Sequence, residues 1–265
     1  MKIDNTVVWI TGASSGIGKE LVKELVPYNC KFILTSRNQE NLKKLVQNLN
    51  LNNERVLIQN FDLSNYKEIP SIVQQAVTKF KKIDVIIHNA GITQRALAEE
   101  TDIGTTEKIF AIDFFAPVHL TKLLLPYLNE PGNITVISSV AGKFESPYRS
   151  SYSAAKHALH GYFDSLRAEF IKKGKNINVL IVCPGFVKTN ISLNALRGDG
   201  SLYNQLDEGV SKGLEPQFVA KKIIQAIQKE KKEIIISRVK EKTAVYLKRF
   251  FPSILSKIIA KSKVT

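Results

Sequence analysis

Short apolar runs rich in β-branched residues alternate with longer stretches of helical periodicity, and that alternation leaves few folds open. The runs are Val7–Thr11, Phe32–Ser36, Arg55–Asn60, Asp84–Asn89, Ile134–Ser138, Asn178–Cys183 and Glu233–Ser237. Between them the periodicity predicts helices at Gly16–Leu25, Gln39–Leu49, Pro70–Phe80, Ala116–Tyr127, Ser151–Ile171 and Gln217–Gln228. The runs are continuously apolar, as strands are when both faces of a sheet are covered. Strand and helix in turn imply right-handed βαβ crossovers. The expectation is therefore an α/β fold, a doubly wound sheet of about seven parallel strands with helices on both faces. Residues 1–240 read as one domain, and 192–213, rich in Gly, Asn and Asp, read as a substrate loop within it.

Composition narrows the function classes. Hydrophobic residues make up 44% and charged residues 23% of the chain, which excludes disorder and low-complexity fibres. The two cysteines, Cys30 and Cys183, are too few for a disulfide scaffold and suggest a reducing compartment. No apolar run approaches the ~20 residues of a membrane-spanning helix. The opening MKIDNTVVWITGA lacks the layout of a signal peptide. A cytoplasmic protein is expected. The net charge is +14, but Pro216–Thr265 carries 13 Lys+Arg against 3 Asp+Glu, which leaves the first 215 residues near neutral. A nucleic-acid binder would spread its charge differently, so no nucleic-acid partner is expected.

Chemistry-bearing motifs sit at the ends of the predicted strands. The first strand runs into Thr11-Gly12-Ala13-Ser14-Ser15-Gly16-Ile17-Gly18, where glycines allow a tight turn and bring backbone N–H groups to a pyrophosphate at the helix's positive end. Asn89-Ala90-Gly91 follows the fourth strand, and Pro184-Gly185 the sixth, with Val187 and Thr189 just beyond. Ser139 ends the fifth strand, thirteen positions before Tyr152 of Tyr152-Ser153-Ala154-Ala155-Lys156. Residues i and i+4 share a helix face, so Tyr152 and Lys156 point into one space. A free phenol titrates near ~10 and serves poorly at neutral pH. A neighbouring ammonium favours the phenolate, the form that takes a proton. Alone, each motif has a plain structural reading: a strand-to-helix turn, or a Tyr/Lys pair on a solvent-facing helix.

Together and in order, T-G-x-x-x-G-I-G, N-A-G, Ser with Y-x-x-x-K, and P-G-x-x-x-T resemble the single-domain short-chain dehydrogenase/reductase family, over about Thr6 to Ser237. The resemblance implies a Rossmann fold and roles for these residues. Tyr152 passes the proton, Lys156 tunes it and holds the nicotinamide ribose, and Ser139 orients the carbonyl. Gly12, Ser14, Ser15, Gly16, Ile17, Gly18, Asn89, Ala90, Gly91, Pro184, Gly185, Val187 and Thr189 line the cofactor, and Asp62 with Leu63 match the adenine-contacting pair. Asp62 could equally cap a helix. The family's fourth catalytic position is usually asparagine, but Ala111-Ile112-Asp113-Phe114-Phe115 places Asp113 there, which cannot donate as an amide does. Members that prefer NAD carry an acid at the end of strand two, whereas here Ser36 is followed by Arg37. A guanidinium can pair with a 2′-phosphate, so the cofactor expected is NADP(H).

Other residues point to plainer roles. His88 is expected to pack near the cofactor, and His157 and His160 flank Lys156 with no cysteine or acid cluster to complete a metal site. Cys183 reads as a buried apolar residue. Neither metal nor thiol chemistry is expected. Residues 241–265 form a basic extension: Leu247, Phe250, Phe251, Ile254, Leu255, Ile258 and Ile259 recur at helical spacing, with Lys248, Arg249, Lys257, Lys261 and Lys263 between them. Pro252 divides the stretch into two short helices. Such a tail suits an anionic membrane surface, or docking on its own domain or a second subunit, and both readings stay open.

The loop PGFVKTNISLNAL followed by GDGS resembles the family branch related to 11β-hydroxysteroid dehydrogenase. The expected activity is interconversion of a ketone or aldehyde and an alcohol, on a small apolar, steroid- or lipid-like substrate held between Ala141–Ser150 and Ser192–Gly213. A homodimer or homotetramer is expected. Two alternatives stand beside it: a non-catalytic NADP-binding redox sensor or scaffold, and a peripheral membrane protein acting through its tail.

Overall fold

A computed structural model describes residues 1–262. Seven strands, β1 (Val7–Thr11), β2 (Lys31–Ser36), β3 (Val56–Asn60), β4 (Ile83–His88), β5 (Leu128–Ile137), β6 (Ile177–Pro184) and β7 (Glu233–Ile236), form one parallel sheet in the order β3-β2-β1-β4-β5-β6-β7. The helices are α1 (Gly16–Leu25), α2 (Gln39–Asn48), α3 (Ile69–Phe80), α4 (Ile103–Phe110), α5 (Ala116–Leu124), α6 (Ser150–Lys172), α7 (Glu208–Ser211), α8 (Pro216–Gln228), α9 (Val239–Phe250) and α10 (Pro252–Ala260). Strand residues divide by parity. Val8, Ile10, Val85, Ile87, Leu180 and Val182 join the core under α1, α2 and α8, while Trp9, Ile86, Val179, Ile181 and Cys183 join the core under α3, α5 and α6. Each strand feeds both cores, which is why most strands read as continuous apolar runs; β5 departs from this, with buried Asn133 and Thr135 alternating with Ile134 and Val136.

The structure departs from the sequence reading in several places. A helix at Ile103–Phe110 precedes the one expected, joined to it by a π turn at Ala111–Phe115. Gly104, Thr105 and Thr106 are poor helix formers, and they hid this first half. The combined segment Ile103–Tyr127 also corrects the expectation that no apolar stretch reaches membrane-spanning length, although 44% of its most apolar window is buried inside the fold. β5 begins six residues earlier than expected, and its register with β4 shifts between Ile83 and Val85.

The tail forms two helices meeting at Phe251 and Pro252, as the proline requires, with the first beginning as early as Val239. Its stripe is split: Leu255 is buried, whereas Phe250, Phe251, Ile254 and Ile258 are more than half exposed. Lys248 and Ser256 both bind the Glu145 carboxylate, which ties the tail to the loop after β5. Lys263 lies outside the described residues.

His88 does not pack near the cofactor cleft. It shares a strand face with Ile86 and points into the α5–α6 core, where Nε2 meets Thr121 Oγ1 at 2.8 Å and the ring lies against Phe163. Burial pushes its pKa down to about 3. The folded value lies below the unfolded one, so its stabilising contribution is complete above pH 6.5 and drains away as pH falls toward 3. Denaturant unfolding at pH 7 and pH 5 should show His88 alone costing about 2 kcal/mol over that interval. In His88→Gln the pH-dependent loss should shrink by that amount, whatever the variant's stability at pH 7. Parallel wild-type and variant losses would contradict this.

Candidate active site

The loops after β1, β4, β5 and β6 border one cleft of about 1080 Å³. Gly12 and Gly16 take positive φ values of 68° and 51°, which turn the chain from β1 into α1. A Cβ on Gly12 would lie 2.9 Å from Ala90 Cα, so the turn and the Asn89-Ala90-Gly91 loop meet backbone to backbone. Thr11 Oγ1 accepts the N–H groups of Asn89 and Ala90, both at 3.1 Å, while Asn89 Nδ2 donates to the carbonyls of Thr11 and Gly12. Ser15, the residue before α1, makes no side-chain cap. The first-turn N–H groups of α1 are therefore available to an anion, and a dinucleotide's pyrophosphate fits this turn.

Of the residues singled out in sequence, Gly12, Ser14, Ser15, Gly16, Ile17, Arg37, Asp62, Leu63, Asn89, Ala90, Gly91, Ser139, Tyr152, Lys156, Pro184, Gly185, Val187 and Thr189 all line the cleft. Gly18 lies behind it, where a side chain would collide with the Gly12 carbonyl. Asp113 also lies behind it, in the π turn. At the far end of β2, Ser14 and Ser36 hydroxyls meet at 2.7 Å, and half-exposed Arg37 lies 4.0 Å from Asp62. Asp62 does cap the turn that follows, accepting from Ser64 N at 2.9 Å.

The cleft wall carries Lys156 beside an aromatic ring, paired with the buried Asp113 behind it. Lys156 Nζ lies 3.1 Å from Asp113 Oδ2, donates to the Ile137 carbonyl at 3.1 Å and sits 5.5 Å from the Tyr152 ring centroid. Asp113 Oδ1 accepts Ile92 N–H at 2.8 Å. Burial opposes the Lys156 charge, but Asp113 and Tyr152 outweigh it and hold the ammonium above its ordinary pKa. Burial raises the Asp113 carboxyl against the pull of Lys156 and Ile92. Ser139 Oγ accepts Ala141 N–H at 3.1 Å, which leaves its own proton to donate into the cleft. The arrangement offers a hydroxyl donor, a phenol and a fixed cation around one space.

Three features escaped the sequence reading. Gln94 Oε1 accepts the N–H groups of Ser151 and Tyr152, capping α6 from a distant loop. Arg95, Arg149 and Asp207 form a buried cluster on the cleft wall. His160, Cys183 and Glu233 bring donor atoms within 4.8 Å of one another, which corrects the expectation that nothing completes a set around the α6 histidines. The set fits a divalent ion poorly. Burial pushes the Cys183 thiol up to about 12, and Lys143 Nζ already lies 2.6 Å from Glu233 Oε2.

Comparison with known proteins agrees with this geometry. The family described as short chain dehydrogenase matches residues 6–199. The Drosophila melanogaster dehydrogenase/reductase SDR family protein 7-like is 39% identical over 99% of this chain and 82% of its own length. A Burkholderia phymatum short chain dehydrogenase/reductase, solved in complex with NAD, superposes with a TM-score of 0.83 at 21% identity, covering 100% of this chain and 98% of its own. A Burkholderia cenocepacia short chain dehydrogenase in complex with NADP gives 0.79 at 19% identity, covering 99% and 100%.

The charge pair makes a prediction independent of any activity. Lys156→Met strands a buried carboxylate and should cost ~3–5 kcal/mol of unfolding free energy at pH 7. Because the stranded carboxyl neutralises readily, that cost should shrink as pH falls. Adding Asp113→Asn should recover most of it, and an additive double mutant would show that the two groups do not interact.

Proposed function

The chain belongs to the short-chain dehydrogenase/reductase family, and on that premise we propose that it is an NADP(H)-dependent oxidoreductase interconverting a ketone or aldehyde and an alcohol. The observation that carries this reading is the position of Lys156: one ammonium lies beside both Gly91 and the Tyr152 ring, fixed by Asp113 and the Ile137 carbonyl. The glycine turn, Asn89–Gly91 and the Pro184–Thr189 loop would hold the dinucleotide, which when bound supplies or accepts the hydride. In the reducing direction, Ser139 donates a hydrogen bond to the substrate oxygen, and Tyr152 gives that oxygen its phenolic proton as the carbonyl carbon gains hydride. In the oxidising direction the same phenolic oxygen takes the proton back. Lys156 sets a fixed positive charge beside the Tyr152 ring, where negative charge develops as the phenolic proton leaves.

Asp113 enters this scheme as a positioning group. It orients the Lys156 ammonium and holds the Ile92 backbone, and it lines no part of the cleft. It also offsets part of the lysine's field at Tyr152, which an uncharged amide would not do.

NADP(H) is favoured by what stands at the end of β2. Ser36 and Arg37 occupy the place where an acid would bind the ribose hydroxyls, and the Arg37 side chain is 57% exposed, free to turn toward a 2′-phosphate. Asp62 is near enough to steady it and too exposed to hold it strongly. The apolar part of the substrate would meet Val140, Phe144, Leu255, Ile258 and Ile259.

Two measurements test this reading. Tyr152→Phe should keep NADPH binding and lose ~10²–10⁴-fold in kcat on whichever carbonyl the wild type reduces. Undiminished turnover would remove Tyr152 from the chemistry. Calorimetric titration should show NADPH binding more tightly than NADH, and Arg37→Gln should cut that ratio by about tenfold or more, the worth of one charged hydrogen bond. An unchanged ratio would place the 2′-phosphate elsewhere.

A further inference from the structure

Most of the charged groups around the cleft pair with a carboxylate, and the cations that do not are exposed to solvent. Lys156 has Asp113, Arg37 has Asp62, Lys212 has Glu208, and Lys248 has Glu145. The exposed Arg238 guanidinium donates to the Lys212 carbonyl, and exposed Lys240 has no carboxylate partner among the described residues. The buried cluster does not balance. Arg95 and Arg149 share the single carboxylate of Asp207, and the three side chains are 4%, 7% and 1% exposed. One positive charge is left over inside the wall.

That surplus belongs to Arg149. Arg95 is bonded through all three nitrogens: Nε donates to both Asp207 oxygens at 3.3 and 3.0 Å, Nη2 also donates to Asp207, and Nη1 donates to Thr93 Oγ1 and the Gln94 carbonyl. Arg149 gives one bond from Nη1 to Ser146 Oγ and one from Nη2 to Asp207 Oδ2, each at 3.1 Å. Among the described residues, nothing accepts from its Nε. The guanidinium lies 5.7 Å from the centre of the Phe186 ring, which also borders the cleft. Burial and the neighbouring Arg95 both lower the Arg149 pKa, as expected of a cation short of counter-charge. An unbalanced cation in a buried wall is costly unless something arrives from the cleft to complete it.

Arg149 stands three residues before Tyr152, at the entrance to α6, so whatever completes it lies beside the reacting centre. We propose that the substrate is amphipathic and carries an anionic group, a phosphate or a carboxylate, that docks on Arg149 next to the carbonyl being reduced. The apolar remainder runs along the wall made by Val140, Leu255 and Ile259. The guanidinium plane suits two oxygens at once, which would place the carbonyl relative to Ser139 and Tyr152 as well as attract the charge. This deepens the proposed reductase activity and rests on it.

Two matched substrate pairs test it: 2-oxododecanoate against its methyl ester, and 1-hydroxydodecan-2-one phosphate against 1-hydroxydodecan-2-one. In at least one pair the anionic member should exceed its neutral partner in kcat/KM by tenfold or more, and the better pair tells carboxylate from phosphate. Arg149→Gln should bring the ratio close to one, and Arg149→Lys should keep an intermediate ratio, which also serves if the glutamine variant fails to fold. Calorimetry with dodecyl phosphate, which cannot be reduced, reads the anion site without turnover. The NADPH complex should bind it at least tenfold more tightly in the wild type than in Arg149→Gln. Turnover lost in Tyr152→Phe, with no charge preference and no Arg149-dependent binding, overturns the anion site and leaves the reductase standing. Arg149-dependent binding with no carbonyl turned over keeps the anion site and overturns the reductase. Failure in both assays overturns both.

Discussion

A parallel strand must be re-entered from the same end each time, and this chain's chemistry follows from that one constraint. Every crossover returns to the amino edge of the sheet, so every loop that leaves a strand gathers at the carboxyl edge. The order β3-β2-β1-β4-β5-β6-β7 winds outward in two directions from the β1–β4 pair. Loops on either side of that pair diverge and leave a crevice between them. The Thr11 hydroxyl, accepting both Asn89 and Ala90 N–H groups, fixes the two rims of the crevice to each other. The glycine turn can then approach Ala90 closely because neither side places a side chain between them.

Within that crevice, electrostatics decides what is rigid. The Lys156 ammonium is reached by an aspartate, a backbone carbonyl and an aromatic ring, each from a different element. The π turn at Ala111–Phe115 brings Asp113 close enough, because a widened turn rotates the helix face and turns residue 113 inward between α4 and α5. A carboxylate there binds lysine more firmly than an amide would and dilutes its field in return. Arg95, Arg149 and Asp207 use the same chemistry with the opposite balance, two cations on one anion.

The frame was legible in sequence because its signal is local. Apolar runs marked all seven strands, and the ends of the first six each carried a motif. What was not legible depends on contacts between distant segments. Asp207 is 112 residues from Arg95 and 58 from Arg149, and no spacing rule links them. The same holds for Gln94 and α6, and for His160 with Cys183 and Glu233. His88 is different. Strand periodicity of two puts it on the face of Ile86, so its direction away from the cleft was written in the sequence and overlooked. The first turns of α4 were obscured by glycine and threonine, whose weak propensity is overcome by packing of Ile109 and Ile112 under the sheet.

The two ends of the cleft are consequently built from different materials. The end proposed to hold the dinucleotide is mostly backbone: turns, helix N–H groups and glycines, whose geometry is set once the strands pair. The end proposed to take the substrate is mostly side chains from β4's loop, the start of α6, residues 192–213 and the tail, held by ion pairs between segments far apart in sequence. Glu145 joins the tail to that end through Lys248 and Ser256, so Leu255 and Ile259 face the cleft while Phe250 and Phe251 face outward. The cationic wall comes from the core, and the apolar wall comes from the periphery. Changes in the tail would therefore alter which chain or ring the cleft accepts, whereas the charge beside Tyr152 would persist, because removing it disturbs Asp207 and the loop that Asp207 holds.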